Sequence, residues 1–196
     1  MENNITILNF SGRNTGNCSC ITEVIKRHHK NTNICVYQIN KLFSPCNNCN
    51  YECLRENEKC EYSAAQEALL ETIFNSRLVY FIIPNYCGFP CANYFAFNER
   101  TVGLFNGNKD KLNQYMNVKK KFILISNAES KIFETAMEQQ SVKPEILYMK
   151  SRAYGKQSID GDLMDSKDAL QDLLKFLDSE NLKKMQKIMH VLFRLS

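Results

Sequence analysis

The sequence has no run of about 18 apolar residues, so it offers no membrane-spanning helix and no membrane partner. Its first residues, Met1 to Asn4, carry no basic stretch followed by an apolar block. No secretory signal is therefore expected, and the expected location is cytoplasmic. No internal repeat, low-complexity segment or linker interrupts the 196 residues, which suits a single domain over residues 1–196 with a full core. A broad basic stripe interleaved with aromatic residues is also missing, which argues against nucleic acid as a partner. The one tight basic cluster, Lys119-Lys120-Lys121, reads as a solvated turn ahead of a strand. Neither common nucleotide fingerprint is present: Gly12 and Gly16 do not complete Gly-x-Gly-x-x-Gly, and no Gly-Lys-Ser/Thr follows.

What is present reads as an ordinary globular composition, with 44% hydrophobic and 23% charged residues. The net charge of +4 favours the approach of an anionic ligand. Nine cysteines are many for this length and cannot all pair within the chain. In a reducing compartment they point to metal or redox chemistry rather than to disulfides.

Apolar segments and helical patterns alternate along the chain. Ile5–Phe10, Ile34–Ile39, Leu78–Ile83, Phe122–Ser126 and Glu145–Met149 read as strands. Leu78–Ile83 is continuously apolar rather than alternating, as in a parallel strand covered on both faces. Helices are expected over Cys18–Lys30, from a Ser63–Gln66 capping box onward, over Cys91–Arg100 and over Ser130–Gln139. A last helix is capped by Asp165 and Ser166 and carries Leu170, Leu173, Leu174 and Leu177, with a continuation through Leu182, Met185, Ile188, Met189 and Leu192. Thr101–Asn117 reads as a connection with some helix. Strand and helix alternate five times, which predicts an α/β three-layer sandwich with a five-stranded parallel sheet.

Two loops then stand out. Ser11-Gly-Arg-Asn-Thr-Gly-Asn-Cys-Ser19 joins the first strand to a helix N-terminus. Unpaired N–H groups and the positive helix end there suit a phosphate. Most such turns hold none, so the loop alone does not decide. Pro84-Asn-Tyr-Cys-Gly88 follows the third strand. With strand order 2-1-3-4-5, the order reverses between strands one and three, where ligands of such sheets bind. Both loops would meet in that crevice. Tyr86 supplies a flat ring, and Asn85, Cys87 and Gly88 supply backbone N–H groups. FMN has the matching shape, a phosphate at one end and an aromatic body at the other. Fixed donors at its ring would stabilise the negative charge of the reduced form.

At these residues the chain resembles the NADPH-dependent FMN reductases. Ser11–Ser19 is similar to their phosphate loop, Pro84–Gly88 to their flavin loop, and Phe97-Asn98-Glu99-Arg100 to the end of the helix that follows. It departs from the family at Arg13-Asn14-Thr15 and at Asn85. The resemblance implies a flavodoxin-like fold, non-covalent FMN, and a homodimer or homotetramer. It implies that Ser11, Arg13, Asn14, Thr15, Asn17, Cys18 and Ser19 hold the phosphate. Pro84, Asn85, Tyr86, Cys87 and Gly88 then hold the isoalloxazine, and Ser126 and Asn127 touch its far edge.

Cys46, Cys49, Cys53 and Cys60 form a second constellation, Cys-x2-Cys-x3-Cys-x6-Cys. This compact spacing allows four thiolates to converge on a [4Fe–4S] cluster. It resembles the cluster loop of the iron–sulfur flavoproteins, whose second gap is slightly shorter. A structural zinc site usually takes two separated Cys-x2-Cys knuckles, and one is present. A metal-free loop at the substrate entrance is the plainer alternative. Cys35 reads as core, Cys18 and Cys20 as packing residues, and Cys87 and Cys91 as redox candidates beside the flavin loop. Tyr154-Gly155 stands at the ligand end of the sheet, placed to close over a flavin or a neighbouring subunit.

The sequence therefore points to an FMN-dependent oxidoreductase. NAD(P)H would be the hydride donor, and a small molecule or a redox partner protein the acceptor. No acid or base is expected from the protein. The alternatives are an electron carrier, against which the +4 charge argues, and an interaction module without cofactor.

Overall fold

Five of the predicted segments pair side by side as parallel strands. The computed structural model describes residues 4–41, 45, 46, 49, 51–55, 60, 63–127, 131–138 and 140–179. The strands are β1 (Asn4–Asn9), β2 (Asn33–Gln38), β3 (Leu78–Tyr86), β4 (Phe89–Pro90), β5 (Lys120–Ile125) and β6 (Glu145–Met149). The helices are α1 (Asn17–His28), α2 (Glu52–Arg55), α3 (Ala64–Phe74), α4 (Ala92–Phe105), α5 (Lys109–Asn117), α6 (Lys131–Met137) and α7 (167–179). The predicted continuation through Leu182–Leu192 lies outside the described residues.

The sheet runs β2-β1-β3-β5-β6, and β4 pairs antiparallel with β3. Apart from that extra strand, which shifts the numbering by one, this is the predicted order. Helices cover both faces. On one side Leu8, Phe10, Val79, Phe81 and Phe122 pack under α3, α4 and α5. On the other Ile5, Ile7, Tyr80, Ile82 and Ile123 pack under α1 and α7. Phe10 stacks on Phe81 at 5.9 Å and meets Tyr94 and Phe97 edge-on. This ring cluster fixes the point where β1 ends and the Ser11 loop begins.

Several expectations are corrected. The third strand does not stop at Pro84; it continues to Tyr86 and folds back on Phe89–Pro90 as a hairpin. Proline lacks a donor, but its carbonyl still accepts from the Cys91 N–H at 2.9 Å. Ser63 and Gln66 make no capping box. The Ser63 hydroxyl donates to Glu67, while Gln66 is buried and donates to the Phe97 carbonyl and Thr101. Cys35 is half-buried rather than core, because β2 is an edge strand whose residues are all half-buried or exposed.

The largest correction concerns the lysine cluster. Lys120 and Lys121 are not a solvated turn; they are strand residues, 1% and 0% exposed. Their long stems fill the core while their ammonium groups reach acceptors at its edge. Lys120 Nζ donates to the Tyr115 and Val118 carbonyls and to Gln140 Oε1. Burial pulls its pKa down to about 7, against an ordinary 10.5. Between those values the unfolded chain holds a proton that the folded chain has released, so stability rises with pH across the window. Below about pH 7 the full cost of burying the charge is present. Urea denaturation of the wild type against Lys120→Met should show a gap in pH dependence that is steepest between pH 7 and 10. Parallel curves through that range would refute a depressed Lys120.

Candidate functional site

The Ser11 loop is shaped by side chains that take its carbonyls. Gln38 at the end of β2 donates to the Ser11 carbonyl at 2.6 Å, and Asn40 to the Gly12 carbonyl at 3.0 Å. Asn9 accepts from the Ser11 N–H, and Ser11 Oγ from the Arg13 N–H. Gly16 caps α1 at φ 124°, ψ −169°, a conformation reserved for glycine. The first-turn N–H groups of α1 have no acceptor within the helix. No acidic residue sits in that turn, and Lys26, Arg27 and His28 occupy the last one. The helix dipole is thus unopposed at its positive end.

The second loop is the β3–β4 hairpin. Its turn, Cys87-Gly88, has φ of 52° and 84°, the positive pair that a two-residue turn between twisted strands requires. Tyr86 stands 65% exposed beside it, while Asn85 is buried. Burial, followed by the neighbouring Cys91 and Cys18, raises the Tyr86 phenol. Two bonds tie this loop to the first: Asn93 Nδ2 and Cys91 Sγ both donate to the Phe10 carbonyl, at 3.0 and 3.4 Å.

An open cavity of about 630 Å³ lies between the two loops, within the range of roughly 300–1,000 Å³ usual for cofactor sites. Of the predicted residues, Ser11, Arg13, Asn17, Cys18, Pro84, Asn85, Tyr86, Cys87, Gly88, Ser126 and Asn127 line it together. Asn14, Thr15 and Ser19 do not; they open on the neighbouring groove between α1 and α7, and the Ser19 hydroxyl donates to the Asn14 carbonyl. Burial pushes the Cys18 thiol up to about 12, and it raises Cys91 as well. Both thiols stay protonated at neutral pH, which disfavours thiolate chemistry at either.

Besides Gly12, Gly16 and Ile125, which lie within segments the sequence singled out, three lining residues escaped the sequence reading: Arg152, Ser158 and Ile159. They belong to the segment after β6. Its glycines, Gly155 and Gly161, and its place at the ligand end of the sheet were the available signals. Tyr154 turns away from the cavity and donates to Asp172 on α7 at 3.1 Å.

The four cysteines of the second constellation are also gathered. Cys46, Cys49, Cys53 and Cys60 line one cavity of about 250 Å³ against Glu99, Arg100 and Gly103 of α4. The helix fastens the loop. Glu99 accepts from the Cys46 N–H, Arg100 donates to the Pro45 carbonyl and lies 3.9 Å from Cys60 Sγ, and Asn106 donates to the Cys53 and Leu54 carbonyls. A Cβ on Gly103 would stand 3.2 Å from Cys53 Sγ, so the glycine makes room for the thiol. Burial raises the Cys53 pKa, followed by Cys60, Cys49 and Cys46. Among the described residues no three His, Cys, Asp or Glu side chains stand close enough to hold a single metal ion.

No protein-family model matches the sequence, and no curated protein matches it. Solved structures do match in shape. An NAD(P)H:quinone oxidoreductase from Methanothermobacter marburgensis superposes with a TM-score of 0.61 at 13% identity, over 92% of this chain and 98% of that one. The fold is flavodoxin-like. An FMN-dependent NADH-azoreductase from Bacillus anthracis str. Ames Ancestor, solved in complex with FMN, gives 0.59 at 9% identity over 93% and 99%. The Trp repressor binding protein of Bacillus subtilis gives 0.58 at 15% over 88% and 96%. In this flavodoxin-like chain the cavity sits at the carboxyl ends of β1 and β3, the neighbouring strands where the order reverses.

Proposed function

We propose that the protein is an FMN-dependent oxidoreductase that takes reducing equivalents from NAD(P)H and delivers them to a small acceptor. The observation that carries this is the single cavity lined by both loops and the end of β5. The residues present fit FMN. The N-terminus of α1 and Arg13 suit a dianionic phosphate, and the backbone of the Tyr86–Gly88 hairpin suits a flat ring. FMN-dependent reduction by NADH in a structural neighbour agrees with that fit.

Bound FMN would supply the centre that accepts hydride and returns electrons. The chain's task is to bind, orient and tune it. Arg13 and the first-turn N–H groups of α1 hold the phosphate. The hairpin N–H groups would serve the ring edge where negative charge gathers on reduction. Ser126 and Asn127 border its far side. Cys91, whose thiol is raised by burial, plays no part as a thiolate in this scheme. A homodimer or homotetramer is proposed with it, supported by the half-exposed Phe89, Phe95 and Val102.

The test is reconstitution with excess FMN, desalting, and an absorption spectrum. About one flavin should remain per chain, and anaerobic NADPH or NADH should bleach it. Colourless folded protein would remove the proposal.

A second reading, an electron carrier with an iron–sulfur centre, draws on the cavity shared by Cys46, Cys49, Cys53 and Cys60. Among the described residues these thiols are not grouped as metal ligands, so this reading rests on their shared cavity and on the compact Cys-x2-Cys-x3-Cys-x6-Cys spacing alone. Iron and acid-labile sulfide in anaerobically purified protein decide it.

A further inference from the structure

The segment 156–163 crosses the cofactor cavity as a strap. Its ends are rooted in the core: Lys156 N–H donates to the carbonyl of the fully buried Ser151, and Leu163 is 0% exposed. Lys156 and Asp162 close its neck with an ion pair at 2.7 Å. Ser158 and Ile159 line the cavity, and Ile159 is 68% exposed, as Tyr86 is on the hairpin.

What holds the strap down is Asn17. Its side chain is 4% exposed, and both ends of its amide are engaged across the loop. Nδ2 donates to the Ser158 carbonyl at 3.0 Å, and Oδ1 accepts from the Leu163 N–H at 2.9 Å. Arg13 Nη1 adds a bond to the Ile159 carbonyl, and Cys20 Sγ one to the Gly161 carbonyl. Strap and loop backbones touch at Gly161, where a Cβ would lie 3.0 Å from Gly16 Cα. Turning the Asn17 amide away onto a phosphate would take its partners from the part-buried Ser158 carbonyl and the buried Leu163 N–H, an outcome disfavoured in the interior.

We infer that Asn17 is a positioning residue: its side chain fixes the 156–163 strap as the outer wall of the cofactor cavity rather than turning onto the phosphate. The inference rests on the flavin reading for the identity of the ligand, but not for the anchoring of the strap.

The experiment compares wild type, Asn17→Ala and Gly161→Ala. Gly161→Ala displaces the strap from its own side, so the inference survives a failure of Asn17→Ala to fold. Amide hydrogen exchange across 155–163, measured without flavin, should rise at least tenfold in both variants. Kd for FMN and for riboflavin, which lacks the phosphate, should weaken by the same factor, leaving their ratio within threefold of wild type. Loss of FMN binding with riboflavin binding unchanged would make Asn17 a phosphate ligand and overturn the inference. Unchanged exchange would overturn it as well. A wild type that binds neither flavin defeats the proposed function, while the exchange data still judge the strap.

Discussion

Gly88→Val is expected to weaken FMN binding by roughly 10–100-fold while leaving the protein folded. Gly88 sits at φ 84°, after Cys87 at 52°. A β-branched side chain at such a position costs about 1–3 kcal/mol, and each 1.4 kcal/mol is about tenfold in affinity. The hairpin relieves that strain by changing its turn, which moves the Tyr86 ring and the neighbouring N–H groups out of the cavity. The hairpin is a small excursion from the end of β3, so the core strands keep their packing. Asparagine tolerates positive φ, and Gly88→Asn should bind FMN within a few-fold of wild type. Fluorescence titration of FMN against the three proteins checks both. Equal affinity for Gly88→Val and wild type would mean that the hairpin does not touch the ring.

The second large effect is on stability. Lys121→Met should cost about 3 kcal/mol, the upper end of what leaving buried hydrogen-bond partners unsatisfied costs. For a chain of this size that lowers Tm by roughly 6–12 °C. Lys121 Nζ donates to the Phe176 and Leu177 carbonyls at 2.7 and 3.3 Å and to Ser179 Oγ at 2.9 Å, with Glu145 at 3.8 Å. Methionine keeps the packing of the stem but takes the ammonium donor from those α7 carbonyls and from Ser179. Glu145→Gln keeps the acceptor for Ser179 and should cost about 1 kcal/mol or less, as a partly exposed pair does. Thermal melts of the three proteins test this. A Lys121→Met melt within 2 °C of wild type would mean that α7 docks by its apolar face alone.

The five parallel strands were legible because each is a short, mostly apolar run, and Leu78–Ile83, apolar throughout, fits a strand covered on both faces. Their alternation with helices, with the order 2-1-3-4-5 of doubly wound sheets, placed both loops at the switch point. Pro84 misled as a stop signal, since the missing donor was not needed on that edge and the carbonyl still found Cys91. Lys120 and Lys121 misled because charge ordinarily marks a surface. Their burial depends on carbonyls from α5, α7 and the loop before β5, which no local pattern announces. Gln66 misled in the same way: its spacing from Ser63 suits a cap, but α4 offers it better partners.

By itself the sequence determined the layers and the succession of strands and helices, because these follow from where apolar residues recur; the strand order, and with it which two turns face each other, was carried by analogy with doubly wound sheets and agrees with the structure. It also brought four cysteines within one short loop. Only the tertiary structure decided how the polar residues are used. Asn14, Thr15 and Ser19 fall on one side of the α1 N-terminus, and Arg13 and Asn17 on the other. The partners of Asn17 lie 141 and 146 residues along the chain. A hydrogen bond is chosen by what the fold brings within about 3 Å, and for side chains that flexible the neighbouring sequence carries no record of the choice.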